Sequence, residues 1–162
     1  MQYDAIEQPD PEIWLELDET ERVDLVINYH RRIGVQLESL ELHAMAHVVV
    51  ENQAALGEAT PVPETLERLM DEGLDRHEAV HAIGSILMEI VFDAVHKPDD
   101  GSDINANYYR ELALLTGLLT GDPIRNKPLG IAFFKLAWIA SFSFEILGVE
   151  DLDTKRMMSP SP

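Results

Sequence analysis

"DRHEAVHAIGSILMEIVFDAVH", residues 75 to 96, decides the fold. Asp75 followed three residues later by Glu78 is a capping box. The first side chain accepts from the Glu78 amide and the second returns a bond to the Asp75 amide. His77, His81, Gly84, Met88, Val91 and Val95 then share one stripe at helical spacing, which predicts a helix to about His96, before Lys97-Pro98. Similar punctuation recurs along the chain. "DETERVDLVINYHRRIG" has Asp18 and Glu21 as a second capping box and Gly34 beyond the end. Residues 36 to 56 keep helical periodicity until Gly57, and "TPVPETLERLMDEG" offers Thr60 as cap, prolines in the first turn and Gly73 as terminator. After the break "KPDDGSD", further helices are expected near 104 to 117 and 128 to 147. No stretch alternates with period two, so the expectation is an all-α bundle of about five to six helices without a sheet. Residues 1–97 would form a His-rich bundle, residues 98–158 C-terminal helices packed on it or on a partner subunit, and residues 159–162 a disordered tail.

Composition narrows the function. Thirty acidic side chains against twelve basic ones give a net charge of -18. Eight carboxylates precede the first basic residue, Arg22. Such a chain is a poor partner for nucleic acid or anionic membranes, both polyanions. The absence of cysteine removes disulfides, thiolate metal sites and a Cys nucleophile, so a transition-metal site would draw on His and carboxylates. The N-terminus has neither the basic start nor the apolar core of a signal peptide, and the cytoplasm is the expected location. "PLGIAFFKLAWIASFSFEILG", residues 128 to 148, has the length of a membrane span. Lys135 and Glu145 lie well inside it, at several kcal/mol per charge in hydrocarbon, so a helix buried in the protein or in a homodimer interface through residues 129–147 is the expectation.

Four of the six histidines form two pairs of equal spacing, His43/His47 and His77/His81. Residues i and i+4 stack on one helix face, so each pair can chelate one ion, and two such helices packed together supply four nitrogens. His43 and His47 share a stripe with Leu40, Val50 and Ala54, so both pairs are expected to face the interior. Buried imidazoles need partners for their ring nitrogens, which a shared metal provides. Glu51 continues the first stripe, as a further ligand or as an acceptor for a ligand's other nitrogen. Asn52 and Gln53 are displaced around the helix, toward surface roles. His30 and His96, near helix C-termini, read as complements to the helix dipole. Zinc is the first expectation for the ion, and Ni, Fe or Cu also suit imidazole. Four bound histidines would close the site, whereas three would leave a position open beside Glu78 or Glu51.

His77-Glu78-Ala79-Val80-His81 also spells H-E-x-x-H, the zinc metalloprotease string, in which both histidines bind zinc and the Glu is general base. The branch with Gly at the position of Gly84 has His or Asp three residues later, where this chain has Leu87. Glu111 is the candidate for a later third ligand. Against this, the capping box already employs Glu78, and there is no sheet to support the helix. Hemerythrin-like di-iron proteins use H-x-x-x-E and H-x-x-x-H on successive helices, which His47/Glu51 and His77/His81 match; the other ligands would be His30 and His96/Asp100.

"HAMAHVVVENQ" followed by "ETLERLMDEGLDRHEAVHAIGSILMEIVFDA" resembles a bacterial family of small proteins classed only as a domain of unknown function. The shared pattern is H-x-x-x-H, then a Gln, then a second H-x-x-x-H opening the next long helix; here these are His43, His47, Gln53, His77 and His81. The likeness covers residues 18 to 97 and implies a helical fold with functional histidines, and no particular reaction. The reading is therefore a metal-binding helical protein with no assigned catalytic residue. The alternative is a metal-free helical interaction module built on the aromatic segment 129–147.

Overall fold

The computed structural model describes residues 1–37, 39–96 and 101–117. Its helices are α1 (Pro11–Glu16), α2 (Glu19–Arg32), α3 (Leu40–Ala55), α4 (Val62–Asp71), α5 (Arg76–His96) and α6 (Ile104–Leu114), with a 3-10 turn at Gly57–Ala59. There is no strand among the described residues, so the all-α expectation holds. The segment 128–148 and the C-terminal tail lie outside the described residues.

Local chemistry sets most boundaries. Asp18 and Glu21 form the expected capping box, at 2.8 and 3.1 Å, and open α2. Helices α2 and α4 end in the same way. Val35 N–H donates to His30 O and Gly34 N–H to Arg31 O after α2, and Leu74 to Leu69 O and Gly73 to Met70 O after α4. This arrangement needs a left-handed residue, and φ is +76° at Gly34 and +103° at Gly73. The N-cap of α4 is Pro61 rather than Thr60, whose hydroxyl sits one residue earlier and accepts from Val62 N–H at 3.4 Å. The sequence reading did not anticipate α1, although Asp10 caps it and Pro11 fills its first position.

Helix α3 is the hub, packed against α1, α2, α4 and α5. Two apolar cores lie on either side of it. One gathers Val50, Ala54, Leu66, Leu69, Val80, Ile83 and Leu112 from α3 to α6. The other gathers Tyr3, Ala5, Trp14, Val26, Ile27, Tyr29, Ala44 and Val48 from the N-terminal segment, α1, α2 and α3. Trp14 is fully buried, which alone is worth a few kcal/mol and explains why so short a helix as α1 is held. The Arg22 guanidinium reinforces it, donating to the carbonyls of Trp14, Leu15 and Leu17 at the end of α1 and to Asn52 Oδ1. Asn52 also accepts from Trp14 Nε1, and Gln53 from the Tyr108 hydroxyl. Both side chains thus pin neighbouring helices, where surface roles were expected.

The approach of α5 to α3 is close at Gly84, where an added Cβ would meet Ala46 and Val50 at 3.9 and 4.0 Å. The stripe read along α5 is only half buried: Gly84 and Met88 are covered, whereas Val91 and Val95 are exposed among the described residues. By length and composition α5 is apolar enough to cross a bilayer. Core helices meet that criterion too, and Ala79, Val80, Ala82 and Ile83 are packed inside the bundle.

Candidate metal centre

Five histidines converge where α2, α3 and α5 meet: His30 from α2, His43 and His47 from α3, and His77 and His81 from α5. One ring nitrogen from each lies within 4.8 Å of all the others. The i,i+4 spacing does what the sequence indicated, setting the rings of each pair 4.8 and 4.2 Å apart between centroids. Packing of α3 on α5 then brings pair to pair, with His47 4.8 Å from His81 and 5.2 Å from His77.

His30 is the member that the four-histidine reading assigned to the helix dipole, and only the di-iron alternative counted it as a ligand. It does occupy the last turn of α2, as read, but its side chain is fully buried and turned inward. His30 Nδ1 lies 2.8 Å from the Val26 carbonyl, so that nitrogen carries the proton and Nε2 keeps its lone pair in the neutral ring. His30 Nε2 is 2.9 Å from His43 Nε2 and 3.3 Å from His77 Nε2, and His81 Nε2 is 3.3 Å from His43 Nε2. Nitrogens bound to one ion at about 2.0–2.1 Å would be separated by about 3.3–3.4 Å on a tetrahedron and about 2.9 Å on an octahedral edge. The observed separations fit that range. A single cation accepts a lone pair from every ring at once, whereas hydrogen bonds among the rings must share few protons.

His47 sits in the middle of the group. Its Nε2 is buried and has no hydrogen-bond partner among the described residues, a costly state for a polar atom in a packed interior. Its Nδ1 lies 3.3 Å from the Tyr3 hydroxyl. Burial, followed by the neighbouring imidazoles with His81 foremost, holds His47 well below the ordinary imidazole range. The ring is neutral at pH 7, which is the state that binds metal.

The two carboxylates singled out from the sequence stand outside this group. Glu51 is buried, but its oxygens accept from Arg76 at 2.8 and 2.6 Å and from the Tyr3 hydroxyl at 2.7 Å. It serves the cluster through Tyr3 rather than by pointing into it. Glu78 is the capping residue of α5: Asp75 N–H donates to it and its own N–H donates to Asp75 Oδ1, both at 2.8 Å. Glu111 lies on α6 beside Arg110, away from the cluster. His96 is exposed at the end of α5, with Nδ1 against the Phe92 carbonyl, and Asp100 lies outside the described residues. The groups beside His77 and His81 are therefore imidazoles rather than carboxylates, and the base that the protease reading requires is engaged elsewhere. Replacing Glu78 by Ala is expected to cost about 1 kcal/mol in thermal or urea unfolding and to leave metal stoichiometry unchanged. Loss of the metal in that variant would return Glu78 to the ligand set.

The described residues thus define an all-helical protein with a buried cluster of five imidazoles that could hold a metal ion. No protein-family model, curated protein or solved structure matches the chain.

Proposed function

We propose that this protein binds one divalent transition-metal ion through His43, His47, His77 and His81, with His30 as a fifth donor. The observation that carries the reading is His47 Nε2, buried without a partner among four other imidazoles whose nitrogens approach one another at coordination spacing. Imidazole alone suits Zn, Ni, Fe and Cu and disfavours Mg and Ca, which prefer oxygen. Zinc is the first assignment on availability. His30, His43 and His47 are buried and His77 and His81 half-buried, so the site is closed on its α2 and α3 sides. With Glu51 engaged by Arg76 and Glu78 by the helix cap, neither carboxylate is placed to serve as a base. A holding or structural role for the ion follows from that arrangement more directly than hydrolysis.

Elemental analysis of untagged protein tests this. Near-stoichiometric metal is expected, and a His47→Ala/His81→Ala variant that retains helical circular dichroism is expected to lose it. Metal-free wild-type protein, even after incubation with zinc, nickel and iron salts, would overturn the proposal. The histidines would then be a core network of hydrogen bonds.

A further inference from the structure

Residues 1–7 belong to no helix, yet Tyr3 and Ala5 are buried to 1% and 0% exposure. Two guanidinium groups hold this segment by its backbone: Arg32 donates to Tyr3 O at 2.9 Å and Arg76 to Ala5 O at 3.1 Å. The Tyr3 ring lies 5.7 Å from Trp14 and 5.5 Å from Tyr29, and Tyr29 in turn sets its edge against His30 and His77. An otherwise irregular N-terminus is thus fixed beside the histidine cluster, with the Tyr29 ring touching both Tyr3 and the histidines.

The hydroxyl of Tyr3 has one proton, and its position decides the state of His47. Glu51 accepts from two guanidinium N–H groups of Arg76 at 2.8 and 2.6 Å, and Tyr3 donates to it at 2.7 Å. The hydroxyl oxygen can then only accept from His47, so Nδ1, 3.3 Å away, carries the N–H. That leaves the lone pair of His47 on Nε2, the buried nitrogen that has no hydrogen-bond partner among the described residues. The opposite tautomer would place a proton where the ion has to bind.

We infer that Tyr3 is a positioning residue of the metal centre, locking His47 in its ligand-competent tautomer, and that metal occupancy and the ordering of residues 1–7 stabilise each other. The inference rests on the metal-binding reading above. Reciprocity is required by linkage: whatever the seated N-terminus adds to metal affinity, the metal adds to the seating of the N-terminus. An acceptor on the far nitrogen of a metal-bound histidine typically contributes ten- to a hundred-fold in affinity.

Two measurements on the full chain test it. Zinc affinity, read by competition with a chromogenic chelator, is expected to fall about ten- to a hundred-fold in Tyr3→Phe, which keeps the ring and removes the hydroxyl. Amide hydrogen exchange of residues 1–7 in the wild-type protein is expected to slow at least about ten-fold on zinc loading. Equal zinc affinity in wild type and Tyr3→Phe overturns the inference, and so does N-terminal exchange indifferent to zinc. A loss of stability in metal-free Tyr3→Phe with unchanged zinc affinity marks Tyr3 as a packing residue only and overturns it too. If Tyr3→Phe does not fold, the wild-type exchange measurement decides. Wild-type protein that takes up neither zinc, nickel nor iron removes the metal centre itself, an outcome distinct from a centre that binds without Tyr3.

Discussion

Zinc added to the metal-free protein at pH 7.5 is expected to raise its melting temperature by about 8–16 °C, and a chelator to reverse the shift. The size follows from linkage. A free ion concentration about a thousand times the dissociation constant stabilises the folded state by about 4 kcal/mol. A chain of this length gains about 2–4 °C per kcal/mol. The shift has a defined pH dependence. His47 is held well below its ordinary value of 6.5, so the folded protein keeps it neutral while the unfolded chain protonates it once the pH falls below that value. The stability linked to this group is therefore present above about pH 6.5 and declines at up to about 1.4 kcal/mol per pH unit below it, until the folded pKa is reached. Metal affinity falls in the same direction, because each imidazole must lose its proton to bind. Differential scanning calorimetry at pH 7.5 and 5.5, with and without zinc, measures both effects. A melting temperature indifferent to saturating zinc, nickel and iron at pH 7.5 would remove the metal centre from the account.

Glu51→Ala is expected to destabilise the protein by about 3–5 kcal/mol, the cost of leaving a buried guanidinium without its counter-charge. The side chains of Glu51 and Arg76 are only 1% and 7% exposed and meet at 2.6 Å. The same substitution deprives Tyr3 of its acceptor, so a loss of metal affinity accompanies the loss of stability. Removing both charges behaves differently: Glu51→Leu with Arg76→Met is expected to recover most of the stability, since a well-packed apolar pair often matches a buried ion pair. Urea denaturation of the two single variants and the double variant gives the coupling energy directly. Additive costs would show that the pair contributes through packing rather than through charge.

How much of this was legible in the sequence depended on the range of the interaction. The capping boxes Asp18/Glu21 and Asp75/Glu78 span three residues and were readable, as were the glycines that end α2 and α4. The two histidine pairs were readable because an i,i+4 spacing fixes a shared helix face whatever the tertiary structure does. His30 has no partner at that spacing. Its inward direction comes from the packing of α2 on α3, and the one sequence signal was its place one turn beyond the buried Val26. Tyr3 and Arg76 were not legible, because their contacts with Glu51 cross 48 and 25 residues and no local pattern encodes them. The start of α1 was visible in Asp10-Pro11, but six residues are too few to hold a helix without the burial of Trp14.

The position of the histidines between the two apolar cores has a consequence for how the molecule comes apart. One core draws on α3 to α6, the other on the N-terminal segment and α1 to α3, and the five rings come from α2, α3 and α5, the helices that join them. Without an ion, a seam of such rings would let one half open while the other stays intact. An ion bound by α2, α3 and α5 together acts as a keystone across the seam. Opening either half would then break metal–nitrogen bonds, and two loosely coupled units would melt as one.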